Sequence, residues 1–233
     1  MLYKATQVEA LGETRIDLAS NCYSDAWPLL RRLTFRKARI DLTTQSLPLA
    51  CAVLTKDYCG DLFEFPGIKI GSDYADAIGL LLGPGVNVAG VDGFSRGLSS
   101  GEFDVITSRA GTPIGAAVGR DSTPLIQVDW SGDFVDASTR SSRGFVFGTI
   151  QTNAGLFADT FSVSVALGLL AGRDRCRTLY VAEPALSRDQ YEMIREALRI
   201  VGVTLDASIA QDEPMRAHPA GKPRAPVASS LPI

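Results

Sequence analysis

Residues 67–107 of the chain read GIKIGSDYADAIGLLLGPGVNVAGVDGFSRGLSSGEFDVIT, and this stretch indicates the architecture. Short apolar runs alternate in it with segments that have the composition of helices or turns. We predict strands at 67–71, 86–91 and 103–107, a helix that ends at Leu82, and a short helix or turn over 94–100. This order predicts an α/β fold with a parallel or mixed sheet, flanking helices and right-handed crossovers.

The helix in this stretch carries its own start and stop signals. Ser72 stands at the expected N-cap position, and Asp73 adds an acidic side chain to the first turn. Gly83 stands where a left-handed C-terminal residue belongs, and Pro84 prevents the helix from continuing. The sequence therefore predicts a helix over 72–82.

Residues 1–66 contain weaker patterns, which predict an N-terminal α+β segment packed on the core. Alternating apolar residues predict short strands over 2–10 and 14–18, and a helix is expected to begin at Asp25. The apolar run LACAVLT at 49–55 precedes a polar turn, which predicts a buried strand. Residues 67–111 are predicted to form a βαβαβ lobe.

Residues 112–211 are richer in β-structure and form the second lobe of the prediction. Strands are expected at 125–130, 144–150 and 177–181, and a polar, turn-rich connection is expected over 131–142.

Two helices are expected in the same lobe. A buried helix over 161–171, capped by Asp159 or Thr160, competes with a strand because its first residues alternate. A capping box formed by Ser187 and Gln190 begins an amphipathic helix. The last segment, 212–233, is rich in Pro and Ala and is predicted to be a disordered tail.

Composition excludes several kinds of chemistry. The only histidine, His218, lies in the tail, so sites that need a firmly packed imidazole are not expected. The chain has four cysteines but no C-x-x-C pair, so their spacing matches no zinc or redox motif. We therefore expect no cofactor and no bound metal. Cys59 is expected to be a buried or incidental thiol.

Charge and hydropathy limit the classes of partner that we expect for this protein. A net charge of −3 argues against a nucleic-acid surface. The basic run RRLTFRKAR at 31–39 has two interpretations, a solvent-exposed face or a contact for a polyanion or protein partner. The chain opens without a secretory leader and contains no run of about 20 apolar residues, so we expect a cytoplasmic protein that does not enter the membrane.

Three pieces of the opening stretch, at 67–72, 86–91 and 98–106, resemble the first lobe of type II periplasmic-binding-protein-like domains. The last piece, LSSGEFDVI, is similar to the L-x-x-G-E-[FLI]-D-[VL] signature of these domains. The family includes the ligand-sensing domains of LysR-type regulators and a few cytoplasmic biosynthetic enzymes.

The resemblance implies a cleft between two lobes, in which helix N-termini and polar strand ends hold a small, often anionic ligand. Arg109 would pair with a carboxylate or phosphate group of that ligand. A purely structural role, such as helix capping by Ser72, is the alternative for each residue. The candidate ligand-binding residues at the matching positions are Ser72, Asp73, Asp92, Ser95, Ser108 and Arg109.

We therefore expect a small-molecule-binding protein whose interlobe cleft takes an anionic or polar metabolite. A second hypothesis is an enzyme acting on a small metabolite through carboxylates such as Asp73, Asp92, Asp104 or Asp129, without histidine or metal. A third is an accessory subunit of a larger complex. A homo-oligomer or a protein partner is compatible with all three hypotheses.

Overall fold

The computed structural model describes residues 1–26, 28, 30–37, 40–93, 98–109, 125–131, 134–140 and 149–207. Within these ranges the helices are α1 (Ser46–Thr55), α2 (Ser72–Leu82), α3 (Thr160–Gly172) and α4 (Arg188–Ile200). The strands are β1 (Leu2–Val8), β2 (Glu13–Ala19), β3 (Arg32–Arg36), β4 (Leu62–Phe63), β5 (Ile70–Gly71), β6 (Asn87–Val88), β7 (Val91–Asp92), β8 (Phe103–Arg109), β9 (Leu125–Ser131), β10 (Phe134–Arg140), β11 (Thr149–Thr152), β12 (Cys176–Val181) and β13 (Thr204–Asp206).

Nine of the described strands form one large sheet in the order β1-β2-β3-β11-β10-β9-β8-β12-β13. From β1 to β9 every neighbouring pair is antiparallel, whereas β9, β8, β12 and β13 run parallel to one another. The sheet is therefore mixed, and the predicted α/β fold is confirmed. The first three strands of the chain belong to the same sheet as the last two.

Helix α3 forms the centre of the core. Twelve of its thirteen residues are buried, and it packs against β8 and β12 on one side and α1 on the other. Two glycines permit the close approach: a Cβ on Gly168 would lie 2.3 Å from Leu179 Cδ1, and one on Gly172 would lie 2.7 Å from Cys176 Cβ. The predicted helix with an Asp159 cap is confirmed, and the strand alternative is wrong.

The predicted strand at 49–55 is wrong, because these residues form most of α1. All ten side chains of α1 are buried, against α3 and α2 among others. A helix that is buried on every side has no polar face, so its sequence resembles that of a buried strand. Pro48 fits because it lies in the first turn, where its missing N–H is not needed.

The predicted strands over 67–111 do not share one parallel sheet. Strand β6 pairs with β4, β7 pairs with β5, and β8 joins the large sheet. The first two pairs are parallel and only two residues long, and α2 packs mainly against α4 and α1. Strands β5 and β7 thus pair in parallel across α2, as the predicted order requires, whereas β6 and β8 have partners outside 67–111.

Helix α2 has the predicted extent but not the predicted N-cap. Gly71 occupies the N-cap position, no side chain caps the helix, and Ser72 is the first helical residue. At the other end Gly83 has a φ of 101° and donates its N–H to Gly79 O, as expected of a C-terminal glycine.

Two further expectations are wrong. The helix expected from Asp25 does not form in the described residues, and β3 begins at Arg32. The Asp25 carboxylate instead accepts N–H groups from Asn21 and Gly60, so it does not cap a following helix. The connection expected over 131–142 contains β10, whose polar side chains made it resemble a turn.

The C-terminal elements agree with the sequence. Strand β12, helix α4 and strand β13 form a parallel unit, and Ser187 Oγ accepts the Gln190 N–H at 3.1 Å. Strand β9 forms where a strand was expected, and β11 overlaps the strand expected at 144–150 only at residues 149–150, since 144–148 lie outside the described residues. Of the short helix or turn expected over 94–100, residues 94–97 lie outside the described residues and 98–100 are not helical. The disordered tail expected over 212–233 also lies outside the described residues. No helix in the described part of the chain is long and apolar enough to cross a membrane.

Candidate functional site

The carboxyl ends of the parallel strands and the N-termini of two helices meet at one edge of the large sheet. Gly172 lies against Cys176 at the start of β12, and Gly168 lies against Leu179 further along. Helix α3 therefore runs antiparallel to β12, and its N-terminus lies toward the carboxyl ends of β12 and β8. Helix α4 begins shortly after β12 and starts at the same edge.

Ser108 is the most unusual polar residue at this edge. It is the penultimate residue of β8, it is 0% exposed, and its Oγ has no hydrogen-bond partner among the described residues. Its neighbour Thr107 is also fully buried, but its Oγ1 donates to Tyr180 O at 3.3 Å. Buried hydroxyls are usually paired, so an unpaired one at a strand end needs an explanation.

A network of side chains joins the two helix N-termini. Asp159 accepts the Ser162 N–H at 3.0 Å, the Ser162 hydroxyl at 2.8 Å and the Gln190 Nε2 group at 2.7 Å. Gln190 Oε1 accepts the Leu186 N–H at 2.8 Å. The carboxylate of Asp159 thus already occupies the positive end of α3, and this helix end is not open to a second anion.

Glu183 is a further polar residue that follows β12, and it is buried. The pairing of β12 with β8 continues for one residue before Glu183, because Ala182 donates its N–H to Thr107 O at 2.9 Å. Glu183 was not among the residues singled out from sequence, and Asp159 and Gln190 were singled out only as parts of helix caps. The capping box signalled Gln190, but its partner Asp159 lies 31 residues away, and no local pattern shows that contact.

The structure divides the predicted ligand-binding residues between two places. Ser108 and Arg109 end β8 in the large sheet. Ser72 and Asp73 begin α2, next to Asp92, because Gly71 of β5 pairs with Asp92 of β7. Ser95 lies outside the described residues.

The second of these places contains a weak ion pair. Ser72 is exposed, Asp73 is half-buried, and Asp92 Oδ2 lies 4.0 Å from the largely exposed Lys69 Nζ.

Of the carboxylates considered for acid/base chemistry, Asp73 and Asp92 lie near each other, and both are separated in the fold from Asp104 and Asp129. Asp104 lies near the start of β8, where it accepts two hydrogen bonds from Arg177, at 2.9 and 2.7 Å. Asp129 lies on β9, and Asp92 lies in the small β5–β7 sheet. Among the described residues, no group of three or more His, Cys, Asp or Glu could hold a metal ion.

A second polar cluster surrounds Asp25. An open groove of about 470 Å³ is lined by Ser20, Asn21, Cys22, Tyr23 and Asp25. The Asp25 carboxylate accepts the Gly60 N–H at 2.8 Å, the Asn21 N–H at 2.9 Å and the Met1 ammonium at 2.9 Å. Burial alone would raise the pKa of Asp25, but these hydrogen bonds outweigh it and hold the pKa well below its ordinary value.

The described part of the basic run forms β3 and faces acidic residues on β2. Arg32 Nε donates to Asp17 Oδ1 at 2.6 Å, and Arg36 Nε lies 3.5 Å from Glu13 Oε2. Both pairs follow the antiparallel register of β2 and β3. For Arg32 and Arg36, this arrangement favours the interpretation as a solvent-exposed strand face whose charges are paired.

Comparison of the chain with protein-family models, with curated proteins and with solved structures finds no match.

Proposed function

We propose that the protein binds a small polar metabolite that carries an anionic group, at the carboxyl ends of β8 and β12. The observation that carries this proposal is the buried Ser108 hydroxyl, which lacks a hydrogen-bond partner among the described residues. An unsatisfied buried hydroxyl costs about 1–3 kcal/mol, and a ligand that pairs with it removes that cost.

The position of Ser108 at the carboxyl end of β8 supports this proposal. Ligands of open α/β sheets bind beyond the carboxyl ends of parallel strands, where polar side chains and helix N-termini converge. Arg109 follows Ser108 directly at the end of β8. A guanidinium pairs well with a carboxylate or phosphate, so we expect Arg109 to contact an anionic group of a ligand that lies beyond the end of the strand.

The resemblance of the 67–106 stretch to type II periplasmic-binding-protein-like domains supports the same class of ligand. Members of that family hold small, often anionic molecules at strand ends.

The proposal is tested by thermal unfolding with a panel of carboxylates, phosphates and nucleotides. A ligand at 100 times its Kd adds about 2.7 kcal/mol to stability, which raises the Tm of a chain of this size by about 5–11 °C. We expect at least one anion to do this with the wild-type protein, and Ser108→Ala to lose most of the shift.

Ser164→Ala is the matched control, because Ser164 Oγ is also buried and without a partner among the described residues. Ser164 precedes Gly168 and Gly172 at four-residue spacing, so it lies on the face of α3 that packs against the sheet. By strand alternation Ser108 lies on the other face of β8 from Val105, which contacts Gly172. Ser164→Ala should keep the ligand-induced shift. An equal shift in Ser108→Ala and wild type, or a panel without any shift, contradicts the proposal.

A further inference from the structure

The loop at residues 20–26 packs along the turn at residues 58–62, and we call this contact the seam. Three backbone N–H groups cross it: Gly60 donates to Asp25 Oδ1 at 2.8 Å, Asp61 to Ser24 Oγ at 2.9 Å, and Ala26 to Tyr58 O at 3.0 Å. The approach is so close that a Cβ on Gly60 would lie 2.5 Å from the Ser24 carbonyl carbon.

Each side of the seam carries a half-buried cysteine. Cys22 Sγ lies 3.3 Å from Ser24 Oγ, the same hydroxyl that accepts the Asp61 N–H. Cys59 precedes Gly60, and its Sγ donates to Leu62 O at 3.7 Å. The two thiols therefore flank one contact between the segments.

The other two cysteines differ in their surroundings. Cys51 lies in α1 and Cys176 begins β12, and both are buried in the core. Burial raises the pKa of Cys176 to about 12 and also raises the pKa of Cys59, so the difference is access: Cys59 is only half-buried, whereas Cys176 lies in the core.

We propose that Cys22 and Cys59 form a disulfide across the seam when the protein meets a small disulfide such as oxidised glutathione. Cys22 lines the open groove and is the thiol that such a reagent reaches first. A cysteine pair can be bridged only when its Cα atoms approach within about 7 Å. The Asp25 carboxylate accepts the Cys22 N–H at 3.4 Å and the Gly60 N–H at 2.8 Å, and this shared acceptor holds the two cysteine-bearing segments side by side.

The reaction proceeds by two exchanges. The Cys22 thiolate attacks one sulfur of oxidised glutathione, which forms a mixed disulfide and releases one glutathione thiolate. Cys59 then loses its proton to water and attacks Cys22 Sγ, which forms the protein disulfide and expels the second glutathione. Two protein thiols are oxidised and one glutathione disulfide is reduced to two thiols.

The experiment treats the folded full chain with oxidised glutathione or with dithiothreitol and follows its intact mass and Tm. Oxidation should remove the mass of two hydrogen atoms, and peptide mapping should show Cys22 linked to Cys59. A bridge that closes this loop should raise the Tm by roughly 5–15 °C, and dithiothreitol should reverse the change.

Variants separate this bridge from other thiol reactions. Cys59→Ser should stop at a glutathione adduct on Cys22, Cys22→Ser should lose the crosslink, and Cys51→Ala should oxidise as the wild type does. A glutathione adduct as the only wild-type product, the absence of any reaction, or a crosslink that involves Cys51, Cys176 or a second chain would overturn the proposal.

Discussion

At the scale of single residues, Gly60 shows how little space one position can have. Its missing side chain leaves room for the Ser24 and Asp25 backbone, and a Cβ there would lie 2.5 Å from Ser24 C and 2.7 Å from Asp25 N. Backbone atoms cannot rotate away, so Gly60→Ala should destabilise the protein by about 2–3 kcal/mol in urea denaturation. Gly79→Ala is the control, because nothing lies near that position in α2, and it should be neutral or stabilising by up to about 1 kcal/mol. Equal midpoints for the two variants would contradict this prediction.

Asp25 is a second residue whose surroundings determine its effect on stability. Its folded-state pKa is depressed, so the ionised carboxylate stabilises the protein above the unfolded pKa of about 4. This contribution should be lost as the pH falls below that value toward the folded pKa. Asp25→Asn should cost about 3 kcal/mol at neutral pH, because a buried ion pair is broken.

Urea denaturation of wild type and Asp25→Asn between neutral and acidic pH checks this prediction. The difference between their unfolding free energies should stay constant above about pH 5 and shrink as the pH falls below about 4. Asp17→Asn is the control: its pair with Arg32 is exposed, so its cost should stay below about 1 kcal/mol. A difference that does not change with pH would show that Asp25 acts through something other than its charge.

At the scale of elements, Asp174 links α1 to the turn that precedes β12. Its carboxylate accepts the Gln45 N–H at 2.9 Å, the Ser46 N–H at 2.8 Å and the Ser46 hydroxyl at 2.7 Å, so it caps α1 from a distant part of the chain. Asp174→Ala should cost about 1–2 kcal/mol in urea denaturation, as the loss of a helix cap does. Asp76→Ala changes an exposed residue of α2 and should stay within about 0.5 kcal/mol of wild type. The cap has no energetic role if both variants unfold at the same midpoint.

At the scale of the whole molecule, the large sheet joins the two ends of the described chain. Strands β1–β3 pair with one side of the central strands, and β12 and β13 pair with the other. Two strands within 67–111 pair with strands outside it: β6 pairs with β4, and β8 pairs with β12. We therefore expect the full chain to unfold in one cooperative transition and the isolated fragment 67–111 to show no cooperative transition. Circular dichroism with urea measures both, and an independently folded fragment would support the predicted lobe boundaries instead.

The sequence predicted the elements whose signals are local. Asp159 and Ser187 cap α3 and α4, and each accepts the backbone N–H of the residue three positions later. Gly83 ends α2 by donating its N–H to the carbonyl of the residue four positions earlier. Each contact lies within one helical turn, so the pattern that encodes it can be read directly. Of the candidate site, Ser108 and Arg109 came from the resemblance to type II periplasmic-binding-protein-like domains, and they are the last two residues of β8.

The features that the sequence did not predict depend on contacts between residues far apart in the chain. Burial of α1 on all sides removed the polar face that would have identified it as a helix. The separation of Ser72 and Asp92 from Ser108 depends on which strands pair, and the link between Asp159 and Gln190 depends on how two helices pack. The sequence by itself thus determined the α/β class and the capped helices, because their hydrogen bonds span three or four residues. Only the tertiary structure decided the strand order and the place of the site, because strand pairing depends on which distant apolar faces can be buried together.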